Sequence, residues 1–274
     1  MLKTFLQMFE YDFMLRAIVV GALVSLCAAL LGVTLVLKRY SMIGDGLSHV
    51  GFGALCVALA MNLAPLTVSV PVVIIAAFML LQISENSKIK GDAAIALISS
   101  TALAVGILVT SVTTGLNSDV NGYMFGSILA MSDTDVLVSI ILSVAVLVLY
   151  VVFYNKIFAV TFDESFARAT GTKTKMYNTL VSLLTAITIV IGMRIMGAML
   201  ISSLVIFPAL TSMRVCRSFK KVVITSAVVA VVCFFTGLFI SFVYSMPAGA
   251  SVVAVNAVAF AIFSIVGIIK RKTS

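Results

Sequence analysis

Nine stretches of this sequence are apolar over lengths that match a lipid bilayer: residues 14–37, 41–62, 66–83, 93–113, 136–157, 177–193, 197–215, 221–244 and 250–269. A helix needs about 20 residues to cross a hydrocarbon core of about 30 Å. Inside that core no water satisfies backbone N–H and C=O groups, so each run must bond its own backbone as a helix. The expected fold is therefore all-α, a polytopic membrane protein of about nine transmembrane helices in one transmembrane domain, residues 1–274. Eight or ten crossings remain open, because several connections are short and the run 114–132 can dip back into the membrane.

Composition agrees: 62% of residues are hydrophobic and 10% are charged, with a mean hydropathy of +1.24, far from soluble averages. Positive charge supplies an independent test of topology. With nine crossings and an outside N-terminus, inner positions receive fifteen of the 18 Lys and Arg residues, and only Lys3, Arg16 and Arg194 fall outside or near it. The C-terminus is then inside, and the expected location is the cytoplasmic (inner) membrane of a bacterium. The net charge of +8 belongs to the cytoplasmic face and is no argument for nucleic acid. Glu10, Asp12, Asp119, Asp133 and Asp135 fall at the outer face. They either concentrate cations at a pore mouth or are solvated loop residues.

Cys27, Cys56, Cys216 and Cys233 are scattered through apolar segments without paired spacing, and read as packing residues. Residues 1–13 lack a cleavable signal pattern. With Phe5, Leu6, Met8 and Phe9 they suit a short interfacial helix.

The single histidine of the chain, His49, follows Asp45 by four residues in Gly44-Asp45-Gly46-Leu47-Ser48-His49. On a helix the two side chains share a face. Ionisable groups in a membrane segment are costly and mark functional sites, and carboxylate plus imidazole is a ligand pair for a divalent transition metal. The bland alternatives are an N-cap role for Asp45 and a backbone hydrogen bond for His49. Two ligands fall short of the four to six such ions prefer. A homodimer with the second crossing on its two-fold axis brings two Asp and two His together, with water completing the shell. Gly44, Gly46, Gly51 and Gly53 flank the pair and offer close helix approach.

Three further segments carry expectations. Residues 121–129, with Gly126, suit a half-helix or gate at the outer mouth, or an ordinary loop. The inner loop carries Phe162-Asp163-Glu164-Ser165-Phe166-Ala167-Arg168-Ala169-Thr170-Gly171, whose early acids and late glycine fit a short helix. Phe162, Phe166 and Ala169 form one apolar stripe on it, and so short a helix must dock to persist. In the seventh crossing Pro208 lacks an N–H and clashes with the carbonyl of Leu204, which predicts a kink, with Ser202 and Ser203 available to satisfy the freed backbone.

Arg39-x-x-x-x-Gly44-Asp45-Gly46-x-Ser48-His49, then Phe125-Gly126-Ser127-Ile128-Leu129, the 162–171 segment and Gly197 to Ala209 occur in one order. In this the chain resembles the permease subunit of bacterial ABC importers for zinc, manganese or iron. The resemblance covers about residues 12–270. It implies a homodimer with type II importer architecture, related to the vitamin B12 and siderophore importers. It also implies a cytoplasmic ATP-binding subunit on each protomer and an extracytoplasmic metal-binding protein that delivers the ion. The 162–171 segment, with Phe162, Asp163, Glu164, Phe166, Ala169 and Gly171, matches the coupling helix that docks into the ATPase. Asp45 and His49 match the motif expected to contact the metal.

No Gly-x-x-x-x-Gly-Lys-Ser/Thr pattern occurs, so ATP would be bound and hydrolysed by the partner. The chain itself is expected to be no enzyme and to carry no covalently bound cofactor. Manganese, zinc and iron all suit the ligand pair, whereas the lack of thiolates disfavours copper(I). Neutral imidazole and ionised carboxylate are the ligating forms. The rival reading is a proton-coupled secondary metal transporter with Asp45–His49 as relay. A Ser–His hydrolase using Ser48 or Ser202 is formally open, and one histidine excludes His-Glu-x-x-His.

Overall fold

The computed structural model describes residues 11–86, 91–113, 126, 132–198 and 200–273. Among the described residues the structure is helical and free of strands. The helices are α1 Asp12–Leu37, α2 Ile43–Ala60, α3 Pro65–Asn86, α4 Gly91–Val112, α5 Asp133–Val152 and α6 Tyr154–Phe162. They continue with α7 Glu164–Ala169, α8 Thr174–Met196, α9 Ile201–Val215, α10 Phe219–Tyr244 and α11 Ala248–Thr273. Seven of them (α1, α2, α4, α5, α8, α10 and α11) are long and apolar enough to cross a membrane, and α3 and α9 contribute shorter apolar helices. These nine correspond one for one to the nine apolar runs. The proposed interfacial helix falls almost wholly on residues 1–10, outside the described residues.

Helix α1 is the central post, packed against α5, α8, α9 and α10, with most of its length buried. Its apolar residues run right round the helix, as burial on all sides requires. Helices α4, α5 and α11 lie at the periphery, mostly exposed, with Val258, Ile262, Ile265 and Val266 of α11 uncovered. In a bilayer such residues face lipid at no cost.

Contacts between helix ends sort the bundle into two faces. At one end Arg16 pairs with Asp133 and Arg194 with Asp135, and Tyr11 lies 6.2 Å from Phe242, centroid to centroid. At the other, Lys38 meets Glu164 at 3.7 Å, and Phe158 and Phe162 pack on Phe219 at 5.0 and 5.9 Å. This second, basic end is the one the charge asymmetry assigns to the inside. Asp133 and Asp135 are thus paired rather than spare, and Asp135 also forms a capping box with Ser132.

Two sequence expectations need correction here. The fifth crossing stops at Val152, and the chain turns at Phe153 into a separate helix, α6. The cause is aromatic packing: Phe153 sits 5.8 Å from Tyr177 and Tyr154 5.6 Å from Phe219. The short inner helix is α7 alone, so Phe162 closes α6 and does not share a helical stripe with Phe166 and Ala169.

Candidate functional site

Helix α2 carries the Asp-His pair, and its entry is fixed by the end of α1. Tyr40 N–H donates to the Leu35 carbonyl at 2.8 Å and Arg39 N–H to that of Val36 at 3.1 Å. This is the Schellman closure, with Arg39 at φ 61° where glycine is usual. Helix α2 then runs alongside α4 in parallel. A Cβ on Gly46 would fall 2.6 Å from Ile95 Cγ2, and one on Gly53 would fall 2.5 Å from the Ala102 carbonyl oxygen. Both contacts lie seven residues apart on each helix, so the two run in register with backbones nearly touching.

Asp45 and His49 lie on the face beside that glycine seam. Asp45 is in the first turn of α2; the N-cap is Met42, without a side-chain bond. The carboxylate therefore does not cap the helix but sits near its positive end. His49 Nε2 stands 3.7 Å from Asp45 Oδ2, with the imidazole 19% and the carboxylate 37% exposed. That separation is too long for a hydrogen bond, and two metal–ligand bonds of about 2.1 Å span it at a wide angle. Ser202 Oγ, from α9, donates to Asp45 Oδ1 at 3.4 Å, and Ser48 Oγ to the Asp45 carbonyl at 2.7 Å. Both hydroxyls are thus directed at Asp45 rather than His49, which removes the basis for a Ser–His dyad.

The pair opens into a pocket of about 290 Å³ between α2 and α4, walled by Met42, Ile95 and Leu103 with the hydroxyls of Ser99 and Ser100 opposite. Those α4 serines were not singled out in the sequence. Their only trace there is the offset of 49 residues shared by Gly46–Ile95 and Gly53–Ala102, which becomes visible once the helices are paired. Among the described residues no three His, Cys, Asp or Glu side chains form a cluster. The chain therefore offers two strong donors and several neutral oxygens there.

The other predicted residues are placed as follows. Ser202 faces Asp45 instead of the backbone near Pro208. Helix α9 runs without interruption through Pro208, and the hydroxyl that bonds the Pro208 carbonyl, at 2.8 Å, comes from Ser212. Upstream of α9, Gly197 at φ 90° ends α8. Ser203 is half-buried on α9. Gly126 adopts φ 82°, the left-handed region. Its neighbours 114–125 and 127–131 lie outside the described residues, and with them the expected gate.

Helix α7 is closed at both ends. Asp163 accepts from Phe166 N–H at 2.9 Å; Gly171, at φ 81°, and Thr172 donate back to Arg168 and Ala167. Ala167 is its buried residue, while Phe166 is 66% and Phe162, just before it, 61% exposed. Glu164 ties this helix to the bundle, meeting Lys38 and accepting from Asn178 Nδ2 at 3.2 Å and from Arg168 at 3.2 Å. Burial opposes its ionisation, but the Asn178 bond and the Lys38 and Arg168 charges outweigh burial and hold its carboxyl below the usual value of 4.5.

Known proteins resemble this chain over nearly its whole length. The manganese import system permease protein ScaB of Streptococcus gordonii is 28% identical over 261 residues, covering 95% of this chain and 94% of its own. The high-affinity zinc uptake system membrane protein ZnuB of Haemophilus influenzae is 27% identical over 250 residues, covering 91% and 96%. Among solved structures, a chain of PsaBC from Streptococcus pneumoniae, in complex with Fab, superposes with a TM-score of 0.85 at 28% identity, covering 95% of this chain and 94% of that one. The ABC 3 transport family model matches residues 10–267, and the chain belongs to that family.

Proposed function

We propose that this protein is the permease subunit of an ATP-driven importer of divalent transition-metal ions, manganese, zinc or iron, in which Asp45 and His49 contact the ion in transit. The observation that carries the proposal is a carboxylate and an imidazole 3.7 Å apart beside a serine-lined pocket, in a membrane helix otherwise built from apolar and small residues. Relatives named as manganese and zinc permeases support the substrate class. Membership of an ABC family favours ATP drive over a proton-coupled carrier.

The two-donor site is completed by a second copy, so the working unit is a homodimer in which both pockets face a shared axis. Metal arrives from an extracytoplasmic binding protein and loses part of its hydration shell to carboxylate and imidazole. Cytoplasmic ATP-binding subunits seat against α7 through Phe162 and Phe166, and their closure moves Glu164 relative to Lys38. Because the Lys38–Arg39 turn leads directly into α2, that displacement reaches Asp45. The membrane is the bacterial inner membrane, with the basic end of the bundle in the cytoplasm.

Elemental analysis of cells lacking the gene, complemented with wild type or His49→Ala at matched expression, tests this reading. Wild type should restore one of the three metals and His49→Ala should not. Equal restoration by both would overturn the assignment of His49, and no change in any metal would overturn the importer reading.

A further inference from the structure

Outside the α2–α4 pocket, a concavity of about 430 Å³ lies where α9, α10 and α11 meet at the basic end. Arg214, Arg217, Lys221 and Lys270 line it, and no carboxylate is among its described lining residues. Its shape is set by backbone contact: a Cβ on Gly267 of α11 would fall 2.7 Å from the Arg214 carbonyl oxygen on α9. Arg214 lies over the Phe260 ring, guanidinium carbon to centroid 5.3 Å, which holds this cation against the wall. Helix α10 begins beside it at Ser218, without a side-chain cap, so its positive end adds charge of the same sign. Cations gathered in one concavity repel each other unless an anion joins them.

The two flanking helices show what kind of anion fits. On α10, Lys221 heads a stripe of exposed apolar residues, Ile224, Val228 and Val232, at helical spacing. On α11, Lys270 heads the corresponding stripe running back through Val266, Ile262 and Val258, all exposed. Each pocket lysine therefore stands at the end of an apolar rail that runs into the membrane. A headgroup at the cations and acyl chains along the rails satisfy both features at once. A free inorganic anion uses only the first.

We propose that this concavity binds the phosphodiester headgroup of an anionic phospholipid from the leaflet at the basic end, with its acyl chains against α10 and α11. The inference rests on the chain spanning a membrane and is independent of which ion is transported. The band of positive charge found at the inner end of most membrane proteins is the alternative, and it predicts that any inner cation matters as much as these.

The test is native mass spectrometry of the full-length protein in neutral detergent, titrated with phosphatidylglycerol, phosphatidylcholine or inorganic phosphate. Phosphatidylglycerol should bind and phosphatidylcholine should not. Arg217→Gln with Lys221→Gln should weaken phosphatidylglycerol binding roughly thirtyfold, while Lys156→Gln with Lys175→Gln, inner cations elsewhere, should not. All four side chains are exposed, so these variants should fold, as an unchanged circular dichroism spectrum would establish. Equal loss in both double variants would reduce the effect to diffuse surface charge and overturn the proposal. So would equal binding of phosphatidylcholine, or inorganic phosphate displacing phosphatidylglycerol completely.

Discussion

Ser202 on α9 donates to Asp45 on α2 at 3.4 Å, joining the helix that follows the Gly197 break to the one carboxylate in the α2–α4 pocket. The bond is long, and a neutral hydroxyl at this distance contributes at most about 1 kcal/mol. Ser202→Ala should therefore shift the apparent affinity of uptake by a few-fold at most. Asp45→Asn, which removes the charged donor, should abolish uptake at matched expression. Radiolabelled manganese or zinc uptake separates the two.

The α2–α4 seam predicts a steric hierarchy. Gly53→Val places methyl groups against the Ala102 carbonyl, already 2.5 Å from a Cβ, and should cost about 2 kcal/mol or more. Gly44→Ala, whose nearest neighbour is 3.9 Å away at Ser202, should be close to neutral. Thermal melting in detergent would show both, and a Gly53→Val protein as stable as wild type would mean the helices are not in contact there.

Arg194 is 4% exposed beside Asp135 at 18%. Removing the cation alone leaves a part-buried carboxylate without its partner, and Arg194→Met should destabilise by about 1–3 kcal/mol. Adding Asp135→Leu should recover part of that loss, because the uncompensated charge is gone although the capping bond to Ser132 goes with it. A double-mutant cycle on the melting transition measures the recovery.

Glu164 anchors α7 only while ionised. Its carboxyl is held below 4.5 in the folded protein, so its contribution is fully present above that value and is lost as pH falls through the depressed one. Amide exchange in α7 should accelerate on acidification, relative to the rest of the bundle. Glu164→Gln should show the faster exchange already at neutral pH and little further change as pH falls.

Phe166 is exposed on a helix of six residues, which suits an anchor for a partner rather than a core residue. Phe166→Ala should weaken co-purification of the proposed ATP-binding subunit about tenfold or more while leaving the melting temperature of the chain unchanged. Undiminished association would move the docking surface elsewhere.

Much of this protein is legible without its structure, for physical reasons that differ by level. Apolar runs of bilayer length can only be helices in lipid, so the crossings and the all-α class follow from composition along the chain. The i, i+4 spacing of Asp45 and His49 places them on one face of whatever helix contains them. Residues 153–157 read as the end of the fifth crossing because Phe153 and Tyr154 continue its apolar run, and only their contacts with Tyr177 and Phe219 mark the turn into α6. Pro208 lies inside a continuous α9, and the break between α8 and α9 is made upstream at Gly197 with its positive φ, which the sequence pattern does not single out.

What the sequence by itself determined is periodic or local: helix type, the shared face of Asp45 and His49, the uneven distribution of positive charge, and the caps of α7. What only the tertiary structure decided is which helices stand beside which. The in-register seam of α2 and α4 brings Ser99 and Ser100 opposite Asp45 and His49, and the packing of α9, α10 and α11 collects four cations from positions 214 to 270 around one concavity. In a bilayer nearly every helix face is apolar, so hydrophobic pattern cannot choose neighbours. Close fit at small residues does, and that fit exists only once both helices are in place.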